Sequence, residues 1–407
     1  MSENVEMAGA GEDLDEQLKH LSCYTTPPRR TIELLEAARA RCPVAHSDEH
    51  DGFYLLLGHE NVRDAIADPG LYSSEPSVVR PLTGRPRPAI DMDPPTHDEW
   101  RTLFSQAVTP RTVKIIEPRV RDDVIRRIDS FIGRGSAELI EELCEPVPAE
   151  TIFHVIGFDL DLVPIVLEKE RAVLAAYGNP EEYALRHQEF AEVTLGEIHK
   201  RKLEPRDDYL TYLTNVEVEG RKLDDGDYIG LLYGFIGAGH HSTTTAMANL
   251  IFDVFSSDDL REALKADKDL IPTAIEESLR LNPPFYGFFR RATEDTEVAG
   301  VEIPKGCDVY MSWAAANRDP EAFPNPTEFR VDRGRNRHLT FGFGTHTCPG
   351  AALARMEVRV AIEELLDRIP DLHIEIPELT YEFSGSDTVC IPELPVSFAP
   401  RTATNIV

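Results

Sequence analysis

The stretch HLTFGFGTHTCPGAALARMEVRV, residues His338 to Val360, decides how this chain is read. Gly342 and Gly344 precede a lone thiol, Cys348, with His346 two residues before it and Pro349 directly after. Proline is favoured where a helix opens. The following GAALARMEVRVAIEELLDRIP carries apolar residues at helical spacing until Arg368 and Pro370 close it. Cys348 is therefore expected at a helix N-terminus, where free amides and the macrodipole stabilise an anion and lower a thiol pKa. A thiolate there is a nucleophile, a metal ligand or simply a packed cysteine. The glycines weigh towards a ligand, because they let backbone come close to something, and no Lys-Ser/Thr follows to complete a phosphate loop.

The rest of the chain bounds what this loop can serve. Its 407 residues are enough for a large core, and no internal repeat or long Gly/Ser linker divides them. A formal net charge of −30 argues against nucleic-acid or anionic-membrane partners. The N-terminus, MSENVEMAGAGEDLDEQLKH, lacks the basic start and apolar run of a signal peptide. The most apolar stretch, IGLLYGFIGAG, is far short of the ~20 residues that span a bilayer. Cys23, Cys42, Cys144, Cys307, Cys348 and Cys390 form no CxxC pair, so neither a zinc knuckle nor a disulfide framework is indicated. These features predict a soluble protein of the cytoplasm.

Along the chain, residues 1–30 read as an acidic, mobile tail and 31–407 as one domain, beginning with a helix around Thr31–Arg41. FYLLLG reads as a buried strand and HENVRDAIADP as the helix after it. Six prolines between Glu75 and Pro95 predict a long exposed loop. From Thr96 to about Leu250 the patterns are mostly helical, with a long helix from Asp225 to about Phe255. LIPTAIEESLRL stops at Asn282-Pro283-Pro284. TEVAGVEIPKGCDVYMSW and the C-terminal LHIEIPELTYEF and VCIPELPVSF read as short strands. The fold class is mainly α with small β-sheets.

The run Phe341-Gly342-Phe343-Gly344-Thr345-His346-Thr347-Cys348-Pro349-Gly350 resembles the haem-binding loop of the cytochrome P-450 family, the haem-thiolate monooxygenases, at every defining position. The resemblance implies that Cys348 is the metal ligand, the thiolate fifth ligand of haem b iron. Because Pro349 has no N–H, donors to the sulfur must come from Gly350 and later amides. EESLRLNPP places Glu277 and Arg280 three apart on one helix face. That pattern alone is an ordinary ion pair on a solvated face, but it resembles the family's structural Glu-x-x-Arg pair. Burying two haem propionates needs cations and donors. DPPTHDEWRTLFSQAVTPR resembles the propionate-binding helix and offers His97 and Arg101. FFRRATEDTEVAG offers Arg290, with Arg291 as competitor, and His346 completes the set. The resemblance extends from about Phe53 to Phe398 and implies the cytochrome P-450 fold of the soluble bacterial type.

Within the long helix, Gly230, Gly234 and Gly237 fall at i, i+4 and i+7, with Gly239 close behind. Each costs about 1 kcal/mol relative to Ala in a helix interior. Such a stripe permits close helix packing or the approach of something flat; the resemblance implies the helix that crosses above the iron. The family's Ala-Gly-x-acid-Thr is here Ala238-Gly239-His240-His241-Ser242. Ser242 keeps the hydroxyl, and His241 stands where the acid is expected. An imidazole can relay protons near neutral pH, or pair with another group away from the iron. Ser242, with His241 or Thr243, is expected to steer protons.

Phe341, Gly342, Gly350, Ala238 and Gly239 are expected beside the haem. Gly234, Gly237, Ala238, Phe285, Tyr286 and Phe288 are expected to line a substrate pocket, covered by Val78, Val79 and Leu82 of the proline-rich loop. The implied reaction inserts one oxygen atom of O2 into a small apolar molecule. The chain shows no flavin or nucleotide motif, so electrons are expected from a ferredoxin- or flavodoxin-type donor. Arg333, Arg335, Arg337, Arg111 and Lys114 would form its basic docking patch. Two rivals are a haem-thiolate peroxygenase or rearrangement enzyme and a non-catalytic haem sensor.

Overall fold

The computed structural model describes residues 13–75, 86–176, 179–383 and 388–402. Its axis is the 31-residue helix Asp225–Phe255. A capping box starts it: the Asp227 amide donates to the Asp224 carboxylate at 2.9 Å, and the Asp224 amide donates to Asp227 at 2.8 Å. Leu231, Leu232, Ile236, Met247, Leu250 and Ile251 are all fully buried. Burial on nearly every side, rather than an amphipathic stripe, holds this helix. It packs against the helices Pro146–Ile156, Pro180–Leu203, Ile271–Leu281 and Ala351–Arg368, the last being the helix that follows the cysteine loop.

A five-stranded sheet lies beside this helical body, in the order Val44–Ser47, Phe53–Leu56, Asp308–Ser312, Gly287–Ala292, Tyr72–Ser73. Phe53–Leu56 runs parallel to Asp308–Ser312, and the other pairs are antiparallel. The two-residue period of a strand sorts its side chains. In Gly287–Ala292, Phe289 packs with Phe53 and Tyr310, whereas Phe288 and Arg290 face the central cavity. No helix among the described residues is long and apolar enough to cross a membrane.

Three expectations change. The stretch expected as a mobile tail is built into the domain from Leu14 onward. The helix Leu14–Lys19 and the turn after it bury Leu18, Leu21 and Cys23 against Leu34, Leu35 and Phe53. Its acidic composition hid these few apolar anchors. The next helix is Pro28–Arg39, starting earlier than expected because Pro28 occupies its first turn. Ser136–Glu138, inside the stretch read as helical, is a strand that pairs with Pro395–Ser397. Three residues are too few to show a period, and their partner lies about 260 residues away.

Candidate active site

Cys348 sits just ahead of the helix Ala351–Arg368, whose N-cap is Gly350; Pro349 therefore precedes the helix rather than opening it. The loop is closed by the Cys348 amide donating to the Phe341 carbonyl at 2.7 Å. Gly342 and Gly344 both have φ of +70°, a region that disfavours other residues. A Cβ on Gly342 would lie 3.2 Å from the His346 carbonyl oxygen, and one on Gly344 would lie 3.2 Å from the Ala67 Cα. The backbone these glycines admit is thus the protein's own. The Gly350 and Ala351 amides face the sulfur, as expected from the missing donor at Pro349. The expected lowering of the thiol pKa does not follow. Burial pushes Cys348 up, and those amides with the charges of Arg101 and Arg355 only partly offset it.

Next to the loop, the donors expected from the sequence converge. His97 is 1 % exposed; its Nδ1 meets Asp98 at 2.9 Å, while its Nε2 is buried without a hydrogen-bond partner among the described residues. Its ring lies 4.4 Å from that of His346. Arg101 donates to the Thr347 carbonyl and forms no ion pair among the described residues; burial lowers its pKa. Arg290 is buried and, among the described residues, donates only to its neighbour Phe289's carbonyl, at 2.7 Å; burial brings its pKa down to about 10. Arg291, the competitor, is instead paired with Asp308. His346 shares a 3.0 Å hydrogen bond with Ser74, and burial beside Arg290, His97 and Arg101 takes its pKa down to about 3. Buried cations without carboxylates are costly. One buried and one half-buried guanidinium, with one orphaned imidazole nitrogen, fit a bound group that brings its own carboxylates, as haem does.

A cavity of about 330 Å³ extends from Cys348 to the long helix. Ala238 is exposed to it although it lies midway along a buried helix. Gly234, Gly237, Gly239, Ser242 and Thr243 join this wall. The glycines differ in purpose. A Cβ on Gly234 would lie 3.3 Å from the Phe104 ring, and one on Gly239 would lie 2.9 Å from Ile152 Cδ1, so Gly239 serves helix packing as well. Ser242 donates to the Ala238 carbonyl at 2.9 Å, the i−4 bond common for a helical hydroxyl. His241 meets Glu170 of the helix Val163–Ala175, with Nε2 at 2.7 and 2.9 Å from its two oxygens. Glu170 is only 1 % exposed, and its charge and hydrogen bond raise the His241 pKa against the opposing effect of burial. Glu170 was missed by sequence reasoning because nothing local marks a carboxylate 71 residues from its partner. Glu357 was missed too: it lines the cavity from the cysteine-loop helix, and burial pushes its carboxyl well above the usual range.

Phe285 and Phe288 line the opposite wall. Tyr286 does not; it precedes the strand Gly287–Ala292 and turns towards Phe383, 6.0 Å away. Val78, Val79 and Leu82 lie outside the described residues. Glu277 and Arg280, far from a solvated face, are both fully buried and joined by two 2.8 Å hydrogen bonds. Arg280 also donates to the Asn317 carbonyl, and Glu277 accepts from Arg333 Nε at 2.9 Å. That removes Arg333 from the expected docking patch, since its side chain is 7 % exposed and its charge is already matched. Arg335, Arg337, Arg111 and Lys114 are exposed and form no ion pair among the described residues.

This combination of a central helix opened by small residues, a cysteine loop and a carboxylate-ready cluster defines a haem-thiolate protein. The comparisons agree. The cytochrome P-450 family model matches residues 181–370. Cytochrome P-450 107B1 of Saccharopolyspora erythraea is 32 % identical over 348 residues, 81 % of this chain and 86 % of that one. Mycinamicin IV hydroxylase/epoxidase of Micromonospora griseorubida is 33 % identical over 354 residues, covering 84 % and 89 %. The crystal structure of CYP108D1 from Novosphingobium aromaticivorans superposes with a TM-score of 0.83 at 28 % identity, covering 91 % and 95 %. The chain belongs to the cytochrome P-450 family. It is an oxidoreductase, a haem-thiolate monooxygenase using O2, an organic substrate and a separate electron-transfer partner.

Proposed function

We propose that this enzyme binds haem b through Cys348, with Arg101, Arg290, His97 and His346 around the propionates, and hydroxylates or epoxidises a small apolar molecule. The observation that carries this is the meeting of one thiol with a buried and a half-buried guanidinium that form no ion pair among the described residues. When bound, haem supplies the reductive activation of dioxygen and the insertion of one oxygen atom. The chain's residues supply the surroundings. Gly350 and Ala351 amides steady the sulfur. Ala238 and Gly237 leave room on the opposite side, and Phe285, Phe288 and Phe104 present an apolar wall that excludes water.

Proton movement belongs to Ser242 and His241. The Ser242 hydroxyl is held by a single bond to Ala238 and can turn into the cavity. The carboxylate missing at position 241 is supplied by Glu170 of the helix Val163–Ala175, so the pair Glu170–His241 holds a proton beside Ser242. Thr243, 3 % exposed, lines the same wall.

Electrons come from a ferredoxin- or flavodoxin-type donor; no flavin site is assigned to this chain. Its docking patch is Arg335, Arg337, Arg111 and Lys114, without Arg333. The six free cysteines suit a reducing cytoplasm.

The test is an absorption titration of the haem-loaded protein with a panel of apolar compounds of different size. A low- to high-spin shift with one class, lost in a variant that fills the wall (Ala238→Leu), is the expected result. Binding that shifts the spectrum equally in the wild type and in Ala238→Leu would overturn the placement of the pocket.

A further inference from the structure

The Glu170–His241 pair has a neighbour for which the proposed reaction has no use. His240 is fully buried, its ring centroid 4.4 Å from that of His241; among the described residues neither ring nitrogen makes a well-formed hydrogen bond, and the Glu145 backbone gives it only a weak contact. Burying polar atoms unpaired is unfavourable, and each such group in a folded protein calls for a reason. One donor atom each from Glu170, His240 and His241 lie within 4.8 Å of one another. Glu170 is 1 % exposed, and among the described residues its carboxylate bonds only to His241.

We propose that Glu170, His240 and His241 form a second site, independent of haem, that binds one Zn²⁺ ion with its fourth position open to the cavity. The donor set narrows the ion, and zinc is the probe chosen among the divalent metals that fit. Two imidazoles and one carboxylate suit a borderline divalent metal, whereas Ca²⁺ and Mg²⁺ take oxygen ligands. Three protein ligands and one open position are the arrangement of zinc sites that hold water or a small ligand. Both Glu170 and His241 face the cavity, so the open position has somewhere to point.

Two helices carry the donors: Glu170 comes from Val163–Ala175 and both histidines from Asp225–Phe255. Zinc bonds of about 2.0–2.2 Å require the three donors to draw together, a movement of side chains on fixed backbones. The metal replaces the Glu170–His241 hydrogen bond and gives His240 a strong partner, so the zinc-loaded protein would lack the proton-holding pair of the proposed reaction. Charge allows it: the carboxylate offsets half of the ion's charge, and nearby Arg171 is already paired with Glu145.

The test uses the haem-loaded protein, stripped with chelator and dialysed to equilibrium against Zn²⁺, with zinc per chain measured by mass spectrometry. One zinc per wild-type chain is expected, with affinity at least about ten-fold weaker in Glu170→Gln and in His240→Phe, by analogy with the loss that follows disruption of a metal site. Because these substitutions touch the core, wild-type crystals soaked in Zn²⁺ give a second reading. An anomalous peak at about 2.0–2.2 Å from all three donors is expected. No zinc retained, equal affinity in both variants, or a peak only at surface side chains would overturn the proposal. Failure of the monooxygenase reading would appear separately, in the haem spectrum.

Discussion

At Cys348 two influences on one thiol oppose each other. Helix amides and the charges of Arg101 and Arg355 favour the anion; burial disfavours it and prevails. The sequence showed the first influence through Pro349, Gly350 and the helical period that follows, but burial depends on the distant walls of the cavity. The same division runs through the site. His97, Arg101, Arg290 and His346 were legible because each lies in a local pattern. Glu170 was not, because its meaning comes entirely from lying against His241. The Glu277–Arg280 pair shows a third case: spacing revealed the partners and misled about the setting, since i,i+3 pairs are ordinary on surfaces and this one is fully buried. Glu277→Gln leaves Arg280 and Arg333 facing each other without their counter-charge, and should cost about 3–5 kcal/mol in chemical unfolding. Asp253 gives a pH prediction. Burial raises its carboxyl from 3.8 to about 7, with Ser278 donating to it at 2.7 Å. Between these values the folded protein holds a proton that the unfolded chain has lost, so this group's contribution to stability falls as pH rises from about 4 to 7. Asp253→Asn should flatten that part of the stability curve, read as the urea midpoint against pH; an unchanged slope would exclude it.

The helices and their breaks were the most legible elements, because each has a chemical start or stop. Asp224 caps the long helix and Asn282-Pro283-Pro284 ends Ile271–Leu281. Short strands were less so. Ser136–Glu138 exists only because Pro395–Ser397 pairs with it, a long-range fact that no window of sequence contains. Glycines divide in the same way. Gly196 lies inside Pro180–Leu203, and a Cβ there would find nothing within 4 Å, whereas a Cβ on Gly239 meets Ile152 at 2.9 Å. Gly196→Ala should therefore stabilise the protein by roughly 0.5–1 kcal/mol through helix propensity. Gly239→Val should destabilise it by about 1–3 kcal/mol through overpacking. Thermal unfolding of both variants checks the contrast.

Over the whole molecule, a net charge of −30 coexists with exposed Arg111, Lys114, Arg335 and Arg337, none of them in an ion pair among the described residues. Cations of this kind, if gathered on the proposed docking face, would steer an acidic partner even when the total charge repels it. Reversing charge at Arg335 and Arg337 should slow electron transfer several-fold at low salt and much less at high salt, because salt screens exposed charges. Arg333→Glu should act on stability instead, since it faces Glu277. Stopped-flow reduction at two ionic strengths separates the two outcomes. The overall architecture was legible mainly through ordered motifs: the cysteine loop, the Glu-x-x-Arg pair and the opened helix appear at family spacing. The cavity they enclose was not, being a property of packing. The most direct measurement is the absorption spectrum of the reduced, haem-loaded protein under carbon monoxide, for the wild type and for Cys348→Ala. The account predicts the red-shifted band of a thiolate-ligated haem in the wild type and its loss in the variant. Haem bound without that band, or a variant that keeps it, would contradict ligation by Cys348.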